Sequence, residues 1–143
     1  MKLKYLFAVL CLLMSVSMFS QQTSITINVN NIRNSKGTIK WAVFKDGSKF
    51  NSKSGYADAG STVAEKGSTL IKTKNIPDGT YAISVFHDEN NNSDVDFSFI
   101  GMPVEGFGFS QNPRIYFGPP KYKECTFTKK GNTTQNIKMK YYL

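Results

Sequence analysis

Apolar and polar residues alternate with a period of two along most of this chain, and no segment carries a helical stripe. Ile25, Ile27 and Val29 alternate with Thr26 and Asn28. Asn30 and Asn31 open turn chemistry that runs to Gly37, and the alternation resumes over residues 38–44, which predicts a hairpin. In its second strand Ile39, Trp41 and Val43 share a face, so the single Trp is expected in the core. Residues 45–68, rich in Lys, Ser, Gly and Asp, predict an irregular excursion pinned by Phe50 and Tyr56. A brief strand follows over 69–74. Ile76-Pro77-Asp78-Gly79 then reads as a turn in which Pro fixes φ and Gly accepts a positive one. The next strand, 80–86, places Tyr81, Ile83 and Val85 on one face and runs directly into an acidic loop.

Residues 97–122 hold seven aromatics among many Gly and Pro. So many rings argue against disorder, while Gly and Pro argue against regular structure. The expectation is an ordered loop laid over the sheets, serving either as a lid that completes the core or as an aromatic surface for a glycan or peptide. Strands at 124–128 and 134–142 close the chain, with Lys138 and Lys140 turned outward. About seven short strands without helices predict an all-β fold, a two-sheet antiparallel sandwich.

The first residues change the picture of where the protein works. Lys2 and Lys4 precede an almost wholly apolar run over 5–19, followed by Ser20-Gln21-Gln22-Thr23. This is the layout of a signal peptide, expected over 1–20, with the sandwich domain over 21–143. The apolar run is shorter than the roughly 20 residues of a spanning helix, so no transmembrane anchor is expected after cleavage. Export to the periplasm or the exterior follows. Cys11 leaves with the leader, and Cys125 is then alone, so no internal disulfide is expected despite an oxidising destination.

Formal charge is +8, and without Lys2 and Lys4 there are 16 cations against 10 acids. The cations are scattered, which argues for a solvated basic surface and against nucleic acid. The negative charge is the clustered part. Asp88, Asn90, Asn92 and Asp96 fall at places 1, 3, 5 and 9 of a D-x-[DN]-x-[DN] loop, the spacing that presents oxygen ligands to Ca²⁺. The Asp94 backbone carbonyl is a further donor, and Glu105 is a candidate for the missing bidentate carboxylate, since Phe99 stands at place 12. A hydrated Asn/Asp turn is the alternative reading. Either way the expected function is non-catalytic: one His and one Cys make no zinc set, and the carboxylates are grouped only in this loop. A purely structural envelope protein is a third reading. Partners are expected among extracytoplasmic proteins or glycans.

Several phrases in order resemble a secreted bacterial family, domain of unknown function 2141. They are Asn31-Ile32-Arg33-Asn34-Ser35-Lys36-Gly37, Ile76-Pro77-Asp78-Gly79-Thr80-Tyr81-Ala82, Val85-Phe86-His87-Asp88-Glu89-Asn90, Gly101-Met102-Pro103, Glu105-Gly106-Phe107-Gly108-Phe109-Ser110 and Phe117-Gly118-Pro119-Pro120. The Pro-x-Gly-Thr-Tyr turn is also shared with prealbumin-like and carboxypeptidase-regulatory-like sandwiches. The resemblance implies a prealbumin/immunoglobulin-like sandwich in an envelope or extracellular setting and brings no activity. The family's acidic loop commonly reads His-Asp-Glu-Asn-Gly-Asn-Gly, whereas Asn91 and Ser93 replace both glycines here.

Overall fold

A computed structural model describes residues 23–143 apart from residue 117. The signal peptide expected over 1–20, with Cys11, lies outside the described residues. Eight strands form: β1 (Ile25–Ile32), β2 (Thr38–Phe44), β3 (Asp58–Val63), β4 (Gly67–Lys72), β5 (Gly79–Asp88), β6 (Gly106–Phe109), β7 (Phe127–Lys129) and β8 (Thr133–Lys138). One sheet has the order β4-β1-β8 and the other β3-β2-β5-β6. β7 lies in line with β6 along the same side of β5, pairing with its first residues. The expected two-sheet sandwich is therefore present, with one parallel pairing, β1 with β8.

The alternation read from the sequence decides which side chains meet. Ile25, Ile27 and Val29 of β1, Ile39 and Val43 of β2, Tyr81, Ile83 and Val85 of β5, and Ile137 are all buried in one cluster, with Trp41 half-buried against it. Each such side chain removed from water contributes about 1.5 to 3 kcal/mol before the entropy of ordering it. A smaller cluster of Ala82, Phe109 and Cys125 lies apart from this core, with Phe50, Phe107, Ile115 and Tyr122 packed on it. Phe50 meets Phe44 edge-on at 5.5 Å and Tyr122 at 5.6 Å.

Four local expectations need correction. Residues 25–44 are not a hairpin, because β1 and β2 belong to different sheets. Asn31, at φ 64°, breaks the strand's regular run and its side chain donates to the Met139 carbonyl, so residues 33–37 cross between layers. The stretch 45–68 contains a strand, β3, whose small residues carry no apolar rhythm. The aromatic segment is less irregular than expected, because Gly106 to Phe109 pairs with β5 as β6. Residues 122–125 form one helical turn, α1 (Tyr122–Cys125), rather than the start of a strand.

Both seams of the sandwich are tied. Phe107 and Lys140 exchange backbone hydrogen bonds of 3.1 and 2.8 Å, joining β6 to the continuation of β8. On the other side β3 passes directly into β4, and the Ala64 amide donates to the Gly37 carbonyl. Three connections thus gather at one end of the sandwich: 33–37, 64–66 and the long passage from Asp88 to Gly106. The Lys66 amide donates to Ser35 Oγ, binding the first two together.

Candidate metal centre

β5 delivers His87 into the core between the sheets and Asp88 to the opposite face of its own sheet, as strand alternation requires. His87 is fully buried and paired in register with Ile39 and Gly106. Its Nε2 lies 2.8 Å from the Lys36 carbonyl, which can only accept, so Nε2 carries the proton and Nδ1 accepts from the Tyr141 hydroxyl at 2.8 Å. Gly106 has no side chain because the Tyr141 ring occupies that space; a Cβ there would lie 2.2 Å from it. His87 is therefore a buried structural group, held between the Lys36 carbonyl and the Tyr141 hydroxyl. Cys125 is equally enclosed, and burial pushes its thiol up to about 12.

The loop residues divide by task. Asp88 is fully buried, and its carboxylate accepts from the Asn92 amide at 3.1 Å and the Ser93 amide at 3.0 Å. Lys40 reaches across from β2, diagonal to Asp88 on the shared face, and sets Nζ 2.8 Å from Asp88 Oδ2 and 2.6 Å from Ser93 Oγ. Glu89 turns the other way and pairs with Arg33 at 2.6 Å while accepting from Asn34. Asp94 points outward to Lys53. Asn90 and Asn92 converge on Asp96, each donating from its side-chain amide to the Asp96 carboxylate at 2.6 to 3.0 Å.

Glu105 occupies the most telling place. It is buried, and its two oxygens accept from the Glu89 amide at 2.9 Å and the Asp96 amide at 3.2 Å. One carboxylate thereby clamps the two ends of the acidic loop. Asn91 and Ser93 hold φ of 59° and 68°, the left-handed region that glycine occupies without cost. Asn and Ser tolerate turn conformations better than most residues, and both side chains are held from β2: Asn91 accepts from Thr38 and Ser93 from Lys40.

Of the residues expected to hold Ca²⁺, the structure brings together Asn90, Asn92 and Asp96, keeps Asp88 beside them on the loop's own amides, sends Asp94 away, and uses Glu105 as a backbone clamp. Among the described residues no three His, Cys, Asp or Glu side chains gather as a metal set. Sequence spacing alone gave no sign of Lys40, Arg33 and Lys53, which neutralise Asp88, Glu89 and Asp94 from distant parts of the chain.

These pairings make the loop sensitive to acid. Burial raises the Asp88 carboxyl, but the Lys40 bond, the Ser93 and Asn92 amides and the Lys40 charge outweigh it, leaving the group below its usual value. Glu89 is likewise lowered, with burial opposed by the hydrogen bonds from Asn34 and Arg33 and by the Arg33 charge. A carboxyl lowered in the folded state stabilises fully above its unfolded value, about 4, and loses that contribution as pH falls through its folded value. Urea melts between about pH 6 and pH 3 should show stability dropping below about pH 4, with a shallower drop in Asp88→Asn. Parallel curves for the two proteins would refute this assignment.

Residues 27–138, most of the chain, match a bacterial family. No curated protein and no solved structure matches the chain. The chain belongs to the family described as an uncharacterized protein conserved in bacteria, DUF2141.

Proposed function

We propose that this protein is an exported, non-catalytic binding module of the bacterial envelope whose acidic loop takes Ca²⁺ weakly. The observation that carries the calcium reading is the convergence of Asn90 and Asn92 on the Asp96 carboxylate, on a loop whose ends Glu105 holds together. Asp96 and Asp88 supply the charged oxygens, the Asn90 and Asn92 amides the neutral ones after rotation, and the Asp94 carbonyl a further donor. Glu105 contributes by holding the loop's shape, since both its oxygens serve backbone amides. Export is supported by the composition of residues 1–20. The non-catalytic reading is supported by the enclosure of His87, both of whose ring nitrogens are engaged, and of Cys125.

Affinity follows from the donor set. With Asp88 already neutralised by Lys40, an arriving cation gains little beyond Asp96, so a dissociation constant of about 10⁻⁴ to 10⁻³ M is expected, as for weak extracellular sites. At roughly 5 mM Ca²⁺ such a site stabilises the fold by about 1 to 2 kcal/mol. Calorimetric titration and thermal melting should show saturable heat and an upward shift that Asp96→Ala abolishes. No heat and no shift would leave the loop a purely structural turn.

A further inference from the structure

Beyond Asp96 the chain makes a small hairpin that neither the core nor the acidic loop accounts for. Phe97 bridges to Pro103, the Gly101 amide donates to the Ser98 carbonyl at 2.8 Å, and the Ser98 amide donates to the Met102 carbonyl at 2.7 Å. Gly101 has φ 77°, which completes a three-residue hairpin loop: a tight turn closed by a left-handed residue. Phe99 and Ile100 are the two central residues of that turn. Phe99 is fully exposed, Ile100 is 72% exposed and Phe97 62%, with Val95 also exposed on the incoming limb. An ordered backbone that holds four large apolar groups out in water within six residues is unusual for a soluble surface and marks an interaction site.

We propose that this hairpin tip inserts into the interfacial zone of an anionic lipid bilayer. The shape is convex, so it suits a surface that yields around it. Its reach suits that depth as well: two residues beyond the Phe97–Pro103 bridge at about 3.3 Å each give roughly 7 Å, within the roughly 5 to 10 Å of interfacial burial. The turn satisfies its own hydrogen bonds, which matters where water is scarce, and it leaves little backbone for a peptide strand to add to. Overall charge favours an anionic surface, because without Lys2 and Lys4 the chain has 16 cations against 10 acids, while at this end of the sandwich Lys36, Lys53 and Lys66 offset Glu65, Asp94 and Asp96. Arg33 braces the returning limb through the Val104 carbonyl at 2.9 Å, so the tip is presented on a fixed base.

The inference goes beyond the calcium reading, and its test is run in EDTA so that the two outcomes stay separate. The purified protein is floated with vesicles of phosphatidylcholine containing a quarter phosphatidylglycerol, and with phosphatidylcholine alone. Binding to the mixed vesicles is expected, falling roughly tenfold or more in the Phe99→Asp and Ile100→Asp double variant and unchanged in Leu70→Asp, an equally exposed residue on β4. Both variants should melt like the parent, since neither site is packed. The Phe99→Trp variant should shift its emission to the blue on meeting the mixed vesicles. Absence of flotation, flotation indifferent to the double substitution, equal binding to phosphatidylcholine alone, or a blue shift produced only by a protein partner would each overturn the proposal.

Discussion

Gly37→Ala is expected to cost about 3 to 5 kcal/mol, at the upper end of what a single substitution does, and to lower the melting temperature by roughly 10 to 20 °C. Two effects add at this position. Gly37 has φ 65°, where any L side chain is strained by about 1 kcal/mol or more. A Cβ built there would also lie 1.9 Å from the Asp88 carbonyl oxygen and 2.8 Å from the Glu89 carbonyl carbon. These are backbone atoms at the point where β5 becomes the acidic loop, and they cannot step aside without breaking the β2–β5 register at Thr38 and Asp88. Gly131 provides the control. Its φ of 59° imposes the same conformational strain, but nothing lies within 4 Å of its Cβ position, so Gly131→Ala should cost only about 1 kcal/mol. Urea denaturation of both variants measures the difference, and equal costs would show that the close approach at Gly37 is relieved by movement.

The same contrast between local and remote causes explains how much of the fold was legible. β1, β2 and β5 could be read because Ile, Val and Tyr recur at alternate positions and every second residue enters the core. β3 could not, since Asp58-Ala59-Gly60-Ser61-Thr62-Val63 has one large apolar residue and that one is exposed; pairing with β2 makes it a strand. Gly106-Phe107-Gly108-Phe109 does alternate, but its glycines suggested a loop. They are required by neighbours from elsewhere: Tyr141 fills the space beside Gly106, and Ile137 the space beside Gly108. Residues 33–37 look like a hairpin turn because nothing local in them says that the next strand joins the other sheet.

The acidic loop shows the same division. Its donor spacing was visible, and so was the conformational demand on Asn91 and Ser93 at the places where the family commonly has glycine. What could not be seen were the partners that determine each carboxylate's role. Lys40 lies 48 residues before Asp88 in the sequence, yet pairing of β2 with β5 puts its ammonium on that carboxylate. Charge crowding in a sequence is therefore ambiguous between a cation from solution and a cation from the chain. Here three of the carboxylates have the second kind, which is why the expected calcium affinity is weak rather than tight.

Glu105→Gln should be more damaging than its small change of shape suggests, costing about 2 to 3 kcal/mol. The carboxylate accepts two backbone amides with its two oxygens, and both bonds lie in a site that is only 4% exposed. Glutamine keeps one acceptor and turns an NH₂ group toward the other amide, so a donor faces a donor where water has little room. Glu105→Ala removes the clamp but leaves space for water to reach both amides. Glutamine is thus expected to cost at least as much as alanine, an order that loss of contact area alone would reverse. Because the clamp joins Glu89 to Asp96, the damage should be concentrated in the acidic loop and the hairpin beyond it. Hydrogen exchange at the Glu89 and Asp96 amides should accelerate by roughly thirtyfold or more, while the amides of β1 and β5 follow only the fall in global stability. Glutamine tolerated within about 0.5 kcal/mol, or exchange raised evenly across the sheets, would mean that Glu105 fills space and does not organise the loop.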